Sequence, residues 1–373
     1  MLDHLIHTHR AKTVDSIQAH YSDRYLPEVI LVPGARFGIY ALAKEMLSPR
    51  DRVAVSPITC HSVIEALLAA GVIPIFVDIE PETGNIDVAR LYPLLKSVRA
   101  VVTTNLYGNP DRVVEIRKHA VKHGVWLIED CAHVLCSRID GRRIGTVGDA
   151  SVFSFKKYFG EHGGVLTVSD RQLATRIRER VSRQSRPPAS GEDTLRLIQH
   201  TLHRSMPRSA RWASVTYQWA CATSPRPTVS ENPGSSFLGY FASAEQPATA
   251  SLLRTSHLLA QEDSMIAERA RRTLEIAESS SCQLKANRDA DEICYFVAPC
   301  FCSKRDEIIQ ALKARGLPTY FLYPPLNRVF PDLAKASSLN LDLIEEWSRK
   351  ILPVNLDFAG EFVRAARACC EVK

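Results

Sequence analysis

The sequence predicts an α/β protein in which a large domain, built on a mostly parallel sheet, is joined to a smaller α+β domain. Three observations support this fold class. The chain has 373 residues, which is more than one small domain needs. Hydrophobic residues make up 45% and charged residues 24% of it, as is ordinary for a globular protein with a sizeable core. Short apolar runs also alternate with helical periodicity from Val29 to Asp130.

The alternation defines the elements of the large domain. An N-terminal arm or helix is expected up to about Tyr25, and a regular series of strands and helices follows. The predicted strands are 29–32, 52–55, 73–77, 101–104 and 125–128, and the predicted helices are 37–46, 61–70, 88–95 and 111–123. Strands at this spacing form a mostly parallel sheet with both faces covered, and ligands gather at the carboxyl ends of its strands.

The composition changes in the middle of the chain. Pro, Ser, Gly and Arg residues cluster at about 178–236, which indicates an inserted segment or interdomain connection. One long helix is predicted over 248–276, followed by an α+β region with strands at 294–298 and 320–323 and helices at 306–315 and 341–350. We therefore predict a large domain of residues 1–240 and a small C-terminal domain of residues 241–373.

Charge and hydropathy argue against nucleic acid and membrane as partners. The net charge of +6 is modest and spread along the chain, which favours solvated faces over a nucleic-acid interface. No apolar run approaches the ~20 residues that span a bilayer, and the N-terminal residues lack the apolar core of a signal peptide. We expect a cytoplasmic protein that has neither membrane nor nucleic acid as its partner.

The ten cysteines do not form paired Cys-x-x-Cys groups with zinc spacing. Several lie inside apolar runs, so we expect buried reduced thiols rather than metal ligands or disulfides. Cys300-x-Cys302 and the pair Cys369–Cys370 are weak redox or metal signals.

The stretch from Ala150 to Gly164 contains the candidate nucleophile. Val152, Phe153 and Phe155 predict a short strand, and Lys156 and Lys157 follow in a glycine-rich turn before a second strand at 165–168. A lysine attacks a carbonyl only as the neutral amine, and a cationic neighbour favours that form. Paired lysines after a strand are otherwise typical of a solvated surface turn.

Two further features accompany the lysines. Gly34, Ala35 and Arg36 lie where a loop becomes a helix, a place where backbone N–H groups bind phosphate, although a simple turn fits equally well. Asp130 ends an apolar strand, either as a residue of the ligand crevice or as a turn residue or helix cap. Pyridoxal phosphate needs a lysine for its aldehyde, a carboxylate for its pyridine nitrogen and donors for its phosphate. The order of these residues predicts a site for that cofactor.

The sequences of several blocks resemble those of the DegT/DnrJ/EryC1/StrS aminotransferase family. This family comprises the sugar aminotransferases among the fold-type I pyridoxal-phosphate enzymes. The resemblance is strongest from Val29 to Asp170 and looser beyond it. The similar blocks are G-V-I-P-I-F-V-D-I-E-P-E-T-G-N-I-D (71–87), N-L-Y-G-N-P (105–110), L-I-E-D-C-A-H (127–133), V-G-D-A-S-V-F-S-F (147–155), R-G-L-P-T-Y-F-L-Y-P-P-L-N (315–327) and I-L-P-V-N (351–355). The resemblance implies the fold-type I architecture, with a large domain on a seven-stranded sheet, and a homodimer.

The resemblance also implies roles for individual residues. Asp130 would pair with the pyridine nitrogen, His133 would lie near the phenolic oxygen of the ring, and Lys157 would bind the aldehyde. The residues that would contact the phosphate or the ring face are Gly34, Ala35, Arg36, Ser154 and Cys60 or His61.

The chain departs from the family pattern in three places. Most relatives have F-S-F-x-x-x-K, but a subgroup with S-x-x-K has its lysine where Lys157 stands, so Lys157 is preferred and Lys156 is the alternative. Ala35 replaces a hydroxyl residue, and Gly239–Ala242 replaces the Asn-Tyr-Arg segment that reaches the neighbouring subunit.

The function that the resemblance implies is transfer of an amino group from glutamate or glutamine to a ketone, expected on a nucleotide-linked keto-sugar in aminosugar, polysaccharide or secondary-metabolite biosynthesis. Two alternatives stay open. One is a pyridoxal-dependent sugar dehydratase of the same fold, for which His162 is the candidate residue. The other is a non-catalytic relative that binds the cofactor or a sugar nucleotide.

Overall fold

The computed structural model describes residues 2–188, 240–241, 244–279, 282–302, 304–317, 323 and 325–371. In this part of the chain, no helix is both long enough and apolar enough to cross a membrane. The predicted strand at 320–323 lies outside the described residues except for Tyr323, and most of the predicted insertion, 189–236, lies outside them as well. Residues 178–184 of that insertion belong instead to a helix that begins at Arg171.

A seven-stranded sheet forms the centre of the large domain. The strands up to residue 168 are β1 (Glu28–Val32), β2 (Arg52–Val55), β3 (Ile73–Phe76), β4 (Ala100–Thr103), β5 (Trp126–Asp130), the small hairpin β6 (Arg138–Ile139) and β7 (Arg142–Arg143), β8 (Ala150–Ser154) and β9 (Gly164–Val168). The spatial order is β1-β9-β8-β5-β4-β2-β3, and of these seven strands β9 runs in the direction opposite to the other six. The predicted mostly parallel seven-stranded sheet is confirmed.

Helices cover both faces of this sheet. They are α1 (Leu2–Ser22), α2 (Ala35–Met46), α3 (His61–Ala70), α4 (Val88–Leu91), α5 (Val113–Lys122), α6 (Phe155–Phe159) and α7 (Arg171–Gln184). Val55 and Val102 pack on one face in a cluster with α2, α3 and α7, whereas their neighbours Ala54 and Val101 pack on the other face with α5. Because both faces are buried, the strands read as continuous apolar runs in the sequence.

The C-terminal part is a smaller α+β unit. After a short parallel pair, β10 (Ser185–Arg186) and β11 (Ala244–Glu245), the elements are α8 (Thr249–Leu259), α9 (Glu262–Ala277), β12 (Gln283–Leu284), β13 (Ala290–Glu292), β14 (Ala298–Phe301), α10 (Arg305–Ala314), α11 (Leu326–Val329), α12 (Pro331–Lys335), α13 (Leu341–Lys350), β15 (Ile351–Val354) and α14 (Ala359–Glu371). Strands β12, β14 and β15 form an antiparallel sheet, and β13 pairs with β6 of the large domain.

The long helix predicted at 248–276 is wrong, because the structure breaks it between α8 and α9. The break brings Glu262, which is 5% exposed, to three basic side chains of the large domain. Helix α8 packs on α1, and its Leu252 shares a core with Phe155 and Phe159. Ile276, near the end of α9, belongs to the core of the small unit. We therefore propose that the domain boundary lies along α9 rather than at residue 240.

Two further expectations for the C-terminal region are wrong. The strand is Ala298–Phe301 rather than 294–298, because the N–H groups of Cys294 and Phe296 are taken by Ser137 and Tyr107 of the large domain. Cys282 and Cys302 form a disulfide with their Cα atoms 4.8 Å apart, where reduced thiols were expected. The two residues continue the antiparallel register of β12 and β14, which brings their side chains face to face.

Candidate active site at the carboxyl edge of the sheet

The two candidate lysines lie on a short helix, which corrects the expected glycine-shaped loop. Phe155 is the first residue of α6 and not the last residue of the strand, because Phe155 and Phe159, one turn apart, are both buried. Gly160 ends the helix with a φ of 70°. On this helix Lys157 is half-buried, whereas Lys156 is exposed.

The structure brings Lys157 close to Asp130. The carboxylate ends β5, next to β8, and is 6% exposed. One of its oxygens accepts a hydrogen bond of 2.9 Å from the N–H of Ala132. Burial raises the pKa of Asp130 to about 6, while this hydrogen bond and the positive charge of Lys157 act in the opposite direction. Asp130 is therefore a desolvated carboxylate with a lysine as its nearby cation.

His133 is a second titratable residue near the same lysine. The imidazole is 6% exposed and stacks between the rings of Tyr107 and Phe296, at centroid distances of 5.9 and 5.2 Å. Its Nδ1 accepts a hydrogen bond of 3.2 Å from the backbone N–H of Tyr107. Burial, followed by the charge of Lys157, lowers the pKa of His133 well below its usual value, so the ring is neutral.

Two aromatic residues from the C-terminal region complete the surroundings of Lys157. The Nζ atom lies 5.6 Å from the centre of the Phe296 ring and 3.5 Å from the hydroxyl of Tyr323. The hydroxyl of Tyr323 also lies 3.0 Å from Nε2 of His133. The large domain therefore supplies the carboxylate, the lysine and the imidazole, while residues of the C-terminal region cover them.

The predicted phosphate cradle lies at the start of α2. Gly34 is the N-cap residue, and no side chain caps the first turn of this twelve-residue helix. Gly164 of β9 lies against this start, since a Cβ there would be 3.2 Å from the backbone N of Ala35 and 2.4 Å from the carbonyl oxygen of Phe153. The first-turn N–H groups and the helix dipole suit a phosphate group.

The side chain of Arg36 links helices in this structure. Its guanidinium donates to the hydroxyl of Ser62 at 2.5 Å, lies 3.8 Å from Glu65 and covers the ring of Tyr240 at 5.1 Å. A Cβ on Gly34 would lie 3.6 Å from the Tyr240 hydroxyl, so Tyr240 also adjoins the cradle. A direct contact of Arg36 with phosphate stays a prediction.

The remaining predicted residues lie at element ends. Cys60 is the half-buried N-cap of α3, and His61 is the exposed first residue of that helix. Ser154 is the half-buried last residue of β8, opposite Gly164, and lines a small hollow that also borders α1. The roles of these residues stay predictions.

His162, on which the dehydratase hypothesis depends, is exposed. Its Nε2 lies 3.2 Å from the carbonyl oxygen of Glu245. The hydrogen bond fits a loop contact with β11, and the dehydratase alternative stays a prediction.

The floor of the site is held by a second acid, Glu129, which sequence reasoning did not single out. Its fully buried carboxylate accepts hydrogen bonds from the N–H groups of Gly145, Val147 and Gly148, at 2.7, 2.8 and 2.6 Å. These bonds fix the loop that leads into β8 and hence into the lysine helix.

Tyr107, Phe296 and Tyr323 were likewise not predicted from the sequence as site residues. Tyr107 and Tyr323 lie within the blocks 105–110 and 315–327, whose similarity to a family could have marked them. Phe296 lies outside these blocks and carries no such signal. In the described part of the chain, no group of three or more His, Cys, Asp or Glu residues could hold a metal ion.

Comparison with known proteins shows which family the chain resembles. Residues 39–195 match the model of the DegT/DnrJ/EryC1/StrS aminotransferase family. The spore coat polysaccharide biosynthesis protein SpsC of Bacillus subtilis is 35% identical over 142 residues, which cover 37% of this chain and 36% of SpsC. The UDP-N-acetyl-3-dehydro-alpha-D-glucosamine 3-aminotransferase of Acidithiobacillus ferrooxidans is 32% identical over 143 residues, which cover 37% of this chain and 39% of that enzyme. The match thus spans little more than a third of these curated relatives.

The similarity of fold extends much further than that of sequence. The crystal structure of a DegT DnrJ EryC1 StrS aminotransferase from Brucella abortus has a TM-score of 0.66 and 18% identity, and the match covers 99% of this chain and 96% of that chain. The resemblance to the DegT/DnrJ/EryC1/StrS aminotransferase family is therefore confirmed in sequence over residues 39–195, and the fold is that of its solved aminotransferases.

Proposed function

We propose that the chain is a pyridoxal-phosphate-dependent aminotransferase that moves an amino group from glutamate or glutamine to the ketone of a nucleotide-linked sugar. The observation on which the proposal depends is the proximity of Lys157, Asp130 and His133 at one edge of the sheet. The choice of acceptor is supported by the activities for which the relatives are named, among them that of a UDP-linked 3-dehydro-sugar aminotransferase.

The residues present fit the cofactor. Burial disfavours the ionised form of the Asp130 carboxylate, and a protonated pyridine nitrogen would give that carboxylate a charged partner. The uncapped start of α2 at Gly34 offers backbone donors to the phosphate. The half-buried Lys157, rather than the exposed Lys156, adjoins the carboxylate and would hold the aldehyde. Once bound, pyridoxal phosphate supplies a carbonyl carbon that takes up the amino group and a ring that accepts an electron pair.

The side chains of this chain have separate tasks in the proposed reaction. The ε-amino group of Lys157, when neutral and free, takes the proton from the α-carbon of the amino donor. The carboxylate of Asp130 would stabilise a positive charge on the pyridine nitrogen electrostatically. Because His133 is neutral, it would orient the cofactor ring through a hydrogen bond and not through a positive charge. The stacked rings of Tyr107 and Phe296 exclude water around it.

The test uses the purified chain loaded with pyridoxal phosphate and glutamate labelled with nitrogen-15. Incubation with a panel of nucleotide-linked keto-sugars is expected to release 2-oxoglutarate and to give an amino sugar that contains the label. The Lys157→Ala variant should lose this activity and the Lys156→Ala variant should keep it. Release of water or loss of a sugar oxygen without label would favour the dehydratase, and no turnover of any donor by the loaded protein would favour the non-catalytic alternative.

A further inference from the structure

The hydroxyl of Tyr323 lies between two functional groups of the candidate site. Its oxygen is 3.0 Å from Nε2 of His133 and 3.5 Å from Nζ of Lys157. Tyr323 belongs to the C-terminal part of the chain, whereas the other two residues come from the large domain. The ring stacks on Tyr107, at a centroid distance of 5.9 Å, which holds the hydroxyl in place.

The direction of the hydrogen bond to His133 follows from the other side of the imidazole. Nδ1 faces the backbone N–H of Tyr107, which can only donate, so Nδ1 must carry a lone pair. A neutral imidazole has one N–H group, and it must then be at Nε2. His133 therefore donates to Tyr323, and the tyrosine oxygen is the acceptor.

The backbone of Tyr107 makes this arrangement rigid. Tyr107 has a φ of 61° and a ψ of 14°, a left-handed conformation that costs energy for a residue other than glycine. The residue is 1% exposed, and its carbonyl oxygen accepts from the N–H of Phe296 at 2.8 Å. The strained backbone of Tyr107 is thus held by two hydrogen bonds, one from its N–H to His133 and one from Phe296 to its carbonyl oxygen.

A tyrosine oxygen has two lone pairs and one proton, so it can accept from His133 and from Lys157 at the same time. When Lys157 is an ammonium ion, it donates to the oxygen of Tyr323. When Lys157 is a neutral amine, the hydroxyl proton can turn towards its lone pair without disturbing the bond from His133. The same hydroxyl can therefore hold the lysine in both of its charge states.

We propose that Tyr323 is a positioning residue that holds the amine of Lys157 beside His133 in both its charged and its neutral form. This inference rests on the proposed function, in which Lys157 alternates between these forms. Among the described residues, the groups with charge or titratable protons near the amine include Asp130 at the end of β5, His133 in the segment that follows it, and Tyr323 from the C-terminal region. Because the residue comes from that region, the small domain must be docked for the lysine to be held.

The experiment measures the reactivity of Lys157 in the protein without cofactor or substrate. Trace acetic anhydride is applied over a range of pH, and acetylation of Lys157 is followed by peptide mass spectrometry, with the exposed Lys156 as an internal reference. A hydrogen bond to an ammonium ion is stronger than one to a neutral amine, so Tyr323→Phe should move the midpoint of Lys157 acetylation down by roughly half to one pH unit. Acetylation near pH 7 should accordingly rise about three- to tenfold.

The matched control is Tyr158→Phe. This hydroxyl, in the same helix as Lys157, donates to the carbonyl oxygens of His133, at 2.8 Å, and of Cys294, at 3.2 Å. The control should keep the wild-type midpoint. A midpoint in Tyr323→Phe equal to that of the wild type would overturn the proposal. A rise in the high-pH plateau without a change in midpoint would show only that the reagent reaches Lys157 more easily, and would overturn it as well.

A second measurement reports on His133 directly. Proton NMR should show a hydrogen-bonded Nε2–H signal in the wild type and in Tyr158→Phe, and its upfield shift in Tyr323→Phe. An unchanged signal in Tyr323→Phe would contradict the assigned hydrogen bond. Since neither measurement involves cofactor, substrate or turnover, failure of this proposal is separate from failure of the aminotransferase proposal.

Discussion

Replacing Asp130 by asparagine should stabilise the cofactor-free protein while it removes the carboxylate proposed for the pyridine nitrogen. Burial raises the pKa of Asp130 from 3.8 to about 6, which means that the folded protein disfavours the ionised form. Asparagine has nearly the same shape, and its amide oxygen can still accept the hydrogen bond from Ala132. The substitution therefore removes the cost of a buried charge at little expense in packing.

The magnitude follows from the difference between the two pKa values. A raised carboxyl pKa means that the unfolded chain loses its proton first, so the wild type loses stability as the pH rises from about 4 to about 6. A difference of roughly two pKa units lowers the unfolding free energy of the wild type by about 3 kcal/mol, and this loss is complete above pH 6. The gain from Asp130→Asn should therefore be about 3 kcal/mol at pH 8 and less than about 1 kcal/mol at pH 4.

Urea unfolding of the cofactor-free wild type and variant at pH 4 and pH 8 measures this difference. Asp170→Asn is the matched control, because Asp170 is an exposed N-cap that accepts from Leu173 and asparagine caps a helix equally well. The control should change stability little at either pH. An Asp130→Asn variant that is no more stable than the wild type at pH 8, or that gains equally at both pH values, would refute the reasoning.

Three further substitutions test what holds the fold around the site. Glu262→Gln removes a buried carboxylate from three basic partners and should cost about 3–5 kcal/mol of unfolding free energy, whereas Glu268→Gln, on the exposed side of the same helix, should change the unfolding free energy little. Glu129→Ala leaves three backbone N–H groups without their acceptor, so it should lower the melting temperature clearly and lose cofactor affinity as the loop before β8 loosens; an unchanged thermal scan would contradict this role. Cys282→Ser together with Cys302→Ser should cost about 2–4 kcal/mol, and dithiothreitol should destabilise the wild type but not this double variant.

The sheet could be predicted from the sequence because its strands are buried on both faces. Runs such as residues 100–103 contribute alternate side chains to two cores, so they read as continuous apolar segments with helices between them. The site residues at strand ends, Asp130 above all, followed from the rule that ligands gather at the carboxyl ends of parallel strands. These inferences need only the local sequence and the order of the elements.

Features that depend on tertiary contacts could not be predicted in this way. The break between α8 and α9 brings the buried carboxylate of Glu262 to three basic side chains that are distant in sequence. The backbone of residues 294–296 pairs with loops of the large domain, so its apolar pattern was misread as a strand. The disulfide of Cys282 depends on the register of two short strands, which no spacing of cysteines reveals.

The lysine helix shows the same limit on a smaller scale. Phe155 continues the apolar pattern of β8, yet it begins a helix because it packs one turn away from Phe159. The sequence left Lys156 and Lys157 as alternatives, and only the helix separates the exposed side chain from the half-buried one. Tyr323 and Phe296 reach the site through the docking of the C-terminal region, which the local sequence does not encode.

The central claim is that Lys157 and Asp130 hold one aromatic aldehyde between them. It is tested most directly by borohydride reduction of the purified protein in the presence of pyridoxal phosphate, followed by peptide mapping. We predict a pyridoxyl group on Lys157, its loss in Lys157→Ala and its retention in Lys156→Ala. A pyridoxyl group on Lys156 or on another lysine, or a protein that takes up none, would contradict the claim.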